Sequence, residues 1–176
     1  MENKSQFLAK LEWVFKGIIM IFHTISSLLI ILITGWIITD VLGRVLFNHP
    51  IIGTPEVAAN SLAAIAFLQI PYVMMSKGHV RSGMLVERMG VMGSQILEIF
   101  AGVLGFALFA VATVANWSPT LHSWAIGEYE GEGALRVPSY PVKTIILIGC
   151  AILTIQFLIS IVQSTRTIIN SRRGGV

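Results

Sequence analysis

The sequence predicts an all-α integral membrane protein of four transmembrane helices, and three observations carry that prediction. Hydrophobic residues make up 55% of the 176-residue chain and charged residues only 12%, with a mean hydropathy of +0.79, an apolar share above that of soluble domains. Four long apolar runs occur, each near the roughly 20 residues a helix needs to cross a bilayer. The charges gather in short segments between those runs, which are too brief to bury cores of their own. A single membrane domain over residues 1–176 with no linker is therefore expected, its spans lying near 17–47, 54–75, 94–117 and 140–163.

Residues 1–16 place Phe7, Leu8, Leu11, Val14 and Phe15 on one helical face, opposite Lys4, Lys10 and Glu12. That is the pattern of an amphipathic helix lying in the membrane interface. The apolar run that follows exceeds the roughly 7–15 residue core of a secretory signal and has no small-residue cleavage site. It is expected to remain as the first spanning helix.

Between the first two spans the chain reads DVLGRVLFNHPIIGTPE, residues 40–56. Asp40 and Arg44 are four apart, so on a continuing helix they share a face and pair. Pro50 cannot continue the helix and biases His49 towards extended backbone, which ends the first helix near Phe47 or Asn48. Thr54, Pro55 and Glu56 read as a helix start: a hydroxyl to cap free amides, a proline where no N–H is needed, and a carboxylate facing the positive dipole end. Ionisable groups at the edges of spans tend to be functional. Asp40, Arg44 and Glu56 are accordingly candidates for a small network on the outer face that docks a partner.

In the second span Asn60 and Gln69, like Gln156 in the fourth, are suited to hydrogen-bonding across helices. Ala59 and Ala63, and Ala101 and Gly105 in the third span, are spaced to let backbones approach, against helices of this chain or of another. Pro71 removes a backbone hydrogen bond and is expected to kink the second helix or end it early. The segment HVRSGMLVERMG then reads as a loop whose His79, Arg81 and Arg88 suit anionic lipid headgroups. Glu98 lies about one turn into the third span, at the level where a carboxylate reaches the interface. Trp117, Trp124, Tyr129 and Tyr140 fall in the segment between the third and fourth spans, where amphipathic rings anchor at the headgroup level.

Nine of the twelve Lys and Arg fall on one side of a four-crossing chain: Lys4, Lys10, Lys16, Lys77, Arg81, Arg88, Arg166, Arg172 and Arg173. By the positive-inside rule both termini are cytoplasmic. The other side holds Arg44, Arg136 and Lys143 with Asp40, Glu56, Glu128, Glu130 and Glu132. The net charge of +3 thus expresses topology rather than a nucleic-acid surface, which requires a basic patch on a soluble face.

Chemistry is harder to find. The single cysteine, Cys150, supports neither a disulfide nor a thiolate metal site. Only His23 of the four histidines lies within a span, whereas a membrane haem wants paired ligands at matched depth. GEYEGEG is glycine-rich, but its carboxylates repel phosphate. With no nucleophile-and-base set and no metal-ligand spacing, neither an enzyme nor a cofactor is expected.

Taken in order, DVLGRVLFN, IIGTPE, KGHVR after the second helix and LRVPSYP before the fourth resemble the small membrane subunit of tripartite ATP-independent periplasmic (TRAP) transporters, the DctQ type. One departure is Gly83, in a region where members often carry an acid. The resemblance implies a subunit of the bacterial inner membrane that scaffolds a large multi-spanning partner. That partner holds the sodium and substrate sites, while a periplasmic binding protein delivers an organic acid or similar small solute. A competing reading of the residues is an autonomous small transporter whose dimer lines a path with Glu98 or Asp40.

Overall fold

In a computed structural model the backbone is described for residues 2–77, 80–131 and 136–173, and side-chain surroundings for residues 13–76, 93, 95–131 and 136–169. The elements are α1 (Glu2–Phe47), α2 (Thr54–Lys77), α3 (Val80–Ile126), β1 (Tyr129–Glu130), β2 (Val137–Pro138) and α4 (Tyr140–Arg173). Each of the four helices contains a segment long and apolar enough to cross a membrane: Trp13–Phe47, Thr54–Ser76, Gln95–Ile126 and Tyr140–Ile169. The chain is an all-α integral membrane protein. The N-terminal segment is helical and runs into the first span without a break.

Two helices are much longer than a bilayer is thick. α1 has 46 residues and α3 has 47, each about 70 Å at 1.5 Å per residue, against a hydrocarbon core of about 30 Å. The loop expected after the second helix is accordingly corrected. From Val80 onward the chain is already helical, because Met84–Met89 is built of good helix formers and nothing there forces a stop. Arg81 and Arg88 therefore ride on a helical extension that precedes the apolar part of α3 by about four turns.

The helices pack in the order α1–α2–α4–α3: α1 lies on α2, α2 on α4 and α4 along α3, while α2 and α3 touch only marginally. The result is a row with two broad faces rather than a closed bundle. Its seams are made where small residues let backbones meet. Beyond the first turn of α2 the buried residues are Asn60, Ala64, Ile65, Leu68 and Pro71, whereas Ala59 is exposed. On α3 the close approach uses Gly102 and Gly105. A Cβ at Gly105 would fall 2.4 Å from the Phe157 ring and one at Gly102 2.8 Å from Ile161. Of the expected pairs Ala59/Ala63 and Ala101/Gly105, Gly105 makes a close approach within the chain, while Ala59 and Ala101 are exposed and stay free to meet a helix of another chain. A four-residue spacing marks a stripe without fixing which side of it a neighbour takes.

Pro71 does not end α2, which continues to Lys77. The Pro71 carbonyl accepts a bond from Gln156 Nε2 on α4 at 2.9 Å, so a polar cross-helix contact sits beside the proline. Farther along the same seam Gly149 meets Phe67: a Cβ there would lie 2.9 Å from the Phe67 carbonyl oxygen. Gly149→Val is expected to push α2 and α4 apart at a cost of about 1–3 kcal/mol, read as a lower melting temperature in detergent. Gly35→Ala, whose Cβ would meet nothing within 4 Å, should not lower the melting temperature, since alanine favours a helix interior over glycine.

Candidate functional site

The polar side chains that the structure organises most tightly lie at the hairpin end of the row, in the 47–54 turn and the 127–139 connection. α1 ends at Phe47, and Asn48 takes a left-handed φ of 51°, a conformation asparagine tolerates better than most residues. The chain folds back so closely that the His49 N–H donates to the Gly43 carbonyl at 3.1 Å. A Cβ at Gly43 would sit 3.0 Å from the His49 carbonyl, which is why glycine stands there.

Asp40 is the keystone of this turn. Its side chain is only 5% exposed. One oxygen accepts the Ile51 N–H at 2.7 Å and the other accepts Arg44 Nη2 at 2.9 Å. The carboxylate thereby ties the last turns of α1 to the backbone eleven residues on, while Arg44 remains 59% exposed. Glu56 is not joined to that pair; its Oε2 is buried without a hydrogen-bond partner. The three-residue network expected from the sequence thus resolves into an Asp40–Arg44 pair plus a separate carboxylate at the start of α2.

Thr54 also behaves differently from the capping role expected of it. Its hydroxyl donates backwards to the Ile51 carbonyl at 3.1 Å instead of receiving a helix amide. The helix is entered through Gly53, at φ 87°, whose carbonyl accepts the Val57 N–H at 3.0 Å.

The connection from α3 to α4 forms a second, linked unit. β1 and β2 pair antiparallel, Tyr129 opposite Pro138 and Glu130 opposite Val137. Glu128 is held by Lys143 Nζ at 2.5 Å and by the Ser123 hydroxyl, and its carbonyl accepts the Ser139 N–H at 3.1 Å. Arg136 lies 4.6 Å from the centre of the Tyr129 ring. Glu130 reaches the other side of the row, accepting Asn60 Nδ2 of α2 at 3.0 Å. Trp124 and Tyr140 pack ring against ring at 4.5 Å, and Trp124 Nε1 donates to Thr144 at 2.8 Å. Trp117, Trp124 and His122 lie on α3 itself rather than in a connecting segment. The Glu128–Lys143–Ser123 cluster and the Asn60–Glu130 bond were not singled out from the sequence. The acidic character of 128–132 and the suitability of Asn60 for a cross-helix bond were the signals the sequence carried.

Hydrogen bonds from Lys143 and then Ser123 hold the Glu128 carboxyl below its ordinary value of 4.5. A depressed pKa adds stability that is complete above the unfolded value and disappears as pH falls through the folded one. The connection is therefore expected to stay intact across neutral and mildly acidic pH and to loosen only below about 4.5. Hydrogen exchange at residues 127–139, followed against pH, checks this. The acid step should be present in the wild type and missing in Glu128→Gln; a step between pH 5 and 7 shared by both would contradict it.

Within the spans several polar groups are occupied locally, whereas His23 Nδ1 and Gln156 Oε1 are buried without a partner. Thr24, Ser27, Thr39, Thr113, Asn116 and Thr154 each donate to the carbonyl four residues before. His23 stacks on Tyr72 with ring centres 3.8 Å apart and planes 6° from parallel. Cys150 is buried, and among the described residues no three His, Cys, Asp or Glu stand together as metal ligands. His79 lies outside the described residues, as do the side chains of Arg81 and Arg88.

Four apolar spans, tight polar clasps at one end and no assembled reactive group among the described residues define a multi-pass membrane component. The family model for the DctQ component of tripartite ATP-independent periplasmic transporters matches residues 31–167. The chain belongs to that family, and is thus a small membrane subunit of a TRAP transporter rather than a member of an enzyme family. No curated protein and no solved structure matches the chain.

Proposed function

We propose that this subunit is the scaffold of a sodium-gradient-driven uptake system in the bacterial inner membrane, with both termini in the cytoplasm. It holds a large membrane subunit in place, and that subunit works with a periplasmic binding protein to take up an organic acid or a similar small solute. The observation that carries this reading is the row itself. The apolar stretches of α1 and α3, the two ends of the row, are only 17% and 6% buried within the chain, because each has a single principal neighbour.

A transporter that works alone must enclose its path between helices, and here α1 and α3 each pack along one principal neighbour. The row instead offers two wide faces to a larger protein. Asp40, one of the two carboxylates that an autonomous pump would need, is already committed to Arg44 and Ile51. Such a commitment suits a fixed outer surface better than a site that must bind and release ions. The Asp40–Arg44 pair, with Arg44 exposed, is then a candidate contact for a partner at the outer face.

Tagging the C-terminus of this subunit and purifying from membranes that also contain the untagged large subunit should recover both in fixed ratio. Cysteines placed at Glu130 and at Arg172 should label from opposite sides of sealed membranes. Recovery of this chain alone, or labelling of both positions from outside, would contradict the reading.

A further inference from the structure

At the end of the row opposite the hairpin clasps, all four helices line a cavity of about 360 Å³. Its polar walls are Lys16 of α1, Glu98 of α3 and Gln156, Ser160 and Gln163 of α4. Their positions set its depth. Lys16 lies in the first turn of the apolar part of α1, Glu98 in the first turn of that of α3, and Gln163 in the last turns of that of α4. All three mark the boundary between acyl chains and headgroups.

Lys16 and Glu98 line the same recess, yet no ion pair joins them among the described residues. One basic and one acidic residue thus line one recess. Gln156 adds an unmet acceptor. Its Nε2 is spent on the Pro71 carbonyl, the residue is only 8% exposed, and its Oε1 is buried with no hydrogen bond. A buried amide oxygen without a donor is costly and calls for one.

We propose that this cavity binds the headgroup of a primary-amine phospholipid, Lys16 meeting the phosphate and Glu98 the ammonium. A zwitterion is the one occupant that answers both charges. A basic side chain from a partner protein would meet Glu98 but face Lys16, and an acidic one would do the reverse. The ammonium of an ethanolamine headgroup has N–H donors for Glu98 and for the Gln156 oxygen, whereas a choline headgroup has none. Ile18, Leu97 and Ile155, each next in sequence to a lining residue, are exposed, which gives acyl chains an apolar surface at a similar depth. The subunit would then carry a lipid of defined chemistry at the end bearing its termini, whichever solute the transporter moves.

Native mass spectrometry of the full chain in detergent, titrated with phospholipids of equal acyl chains, tests this. The headgroup series is ethanolamine, its mono- and dimethyl derivatives, choline and glycerol. Retention of one lipid should be strongest for ethanolamine and fall stepwise as N–H groups are lost. Charge-assisted hydrogen bonds of about 1.5–3 kcal/mol correspond to roughly tenfold or more in retention. Lys16→Met and Glu98→Gln should each weaken ethanolamine retention by about that factor, and Glu98→Gln should also flatten the headgroup series. Both side chains lie on exposed residues, so melting temperatures without lipid should match the wild type. Should a variant fail to fold, the wild-type headgroup series decides alone. Equal retention of ethanolamine and choline lipids would overturn the proposal, and so would a preference for the anionic glycerol headgroup.

Discussion

Asp40→Leu should destabilise this subunit by about 2–4 kcal/mol, the largest effect expected of any single substitution at the hairpin end. The carboxylate is almost fully buried and makes two hydrogen bonds, one to the Ile51 N–H and one to Arg44. Bonds to a charged group contribute about 1.5–3 kcal/mol each, and deleting the acceptor also leaves the Ile51 amide without a partner. The turn that joins α1 to α2 is then untied, although Gly43 and His49 still hold part of it.

Arg44 has the same partner and a much smaller expected effect. Its side chain is 59% exposed, and water screens such pairs to about 0–1 kcal/mol. Arg44→Leu also leaves the Ile51 bond in place. Arg44→Glu should cost more than Arg44→Leu, because it sets a second carboxylate against a buried one. Asp40→Asn should fall between the extremes, since an amide oxygen still accepts the Ile51 N–H without the charge. Chemical denaturation in detergent, comparing these four variants, checks the order. An Arg44→Leu loss equal to that of Asp40→Leu would show that the ion pair, and not the backbone clasp, is what the carboxylate supplies.

How much of this was legible in the sequence differs by kind of feature. Chain punctuation was: Pro50 and Thr54–Pro55–Glu56 placed the end of α1 and the start of α2 correctly, because φ restriction and missing donors act locally. The Asp40–Arg44 pair was legible for the same reason, as a one-turn spacing on a helix. Neighbour relations were not. In water the apolar stripe of a helix marks its packing face, but in a bilayer lipid-facing and helix-facing surfaces are equally apolar. The order α1–α2–α4–α3 therefore left no imprint on hydropathy, and nothing in it marked Gly102 as a point of close approach.

The clasp of Glu128 by Lys143 and Ser123 was hidden because its members are distributed over the end of α3, the connection and the start of α4. The same holds for the recess lined by Lys16 and Glu98, which lie 82 positions apart in sequence. Thr54 shows the limit of local reasoning in another way. A hydroxyl at a helix start has two places to go, and here the Ile51 carbonyl, presented by the turn that Asp40 fixes, outcompetes the helix amides.

The central claim is that this chain supports transport without performing it, and uptake into proteoliposomes under a sodium gradient tests that most directly. Four preparations suffice: this subunit alone, this subunit with its large membrane partner, both together with the binding protein and its solute, and the large partner with the binding protein and solute but without this chain. Uptake is expected only in the third, with the first at the level of empty vesicles. A large subunit that transports equally well without this chain would contradict the scaffold role, and sodium-driven uptake by this chain alone would overturn the account.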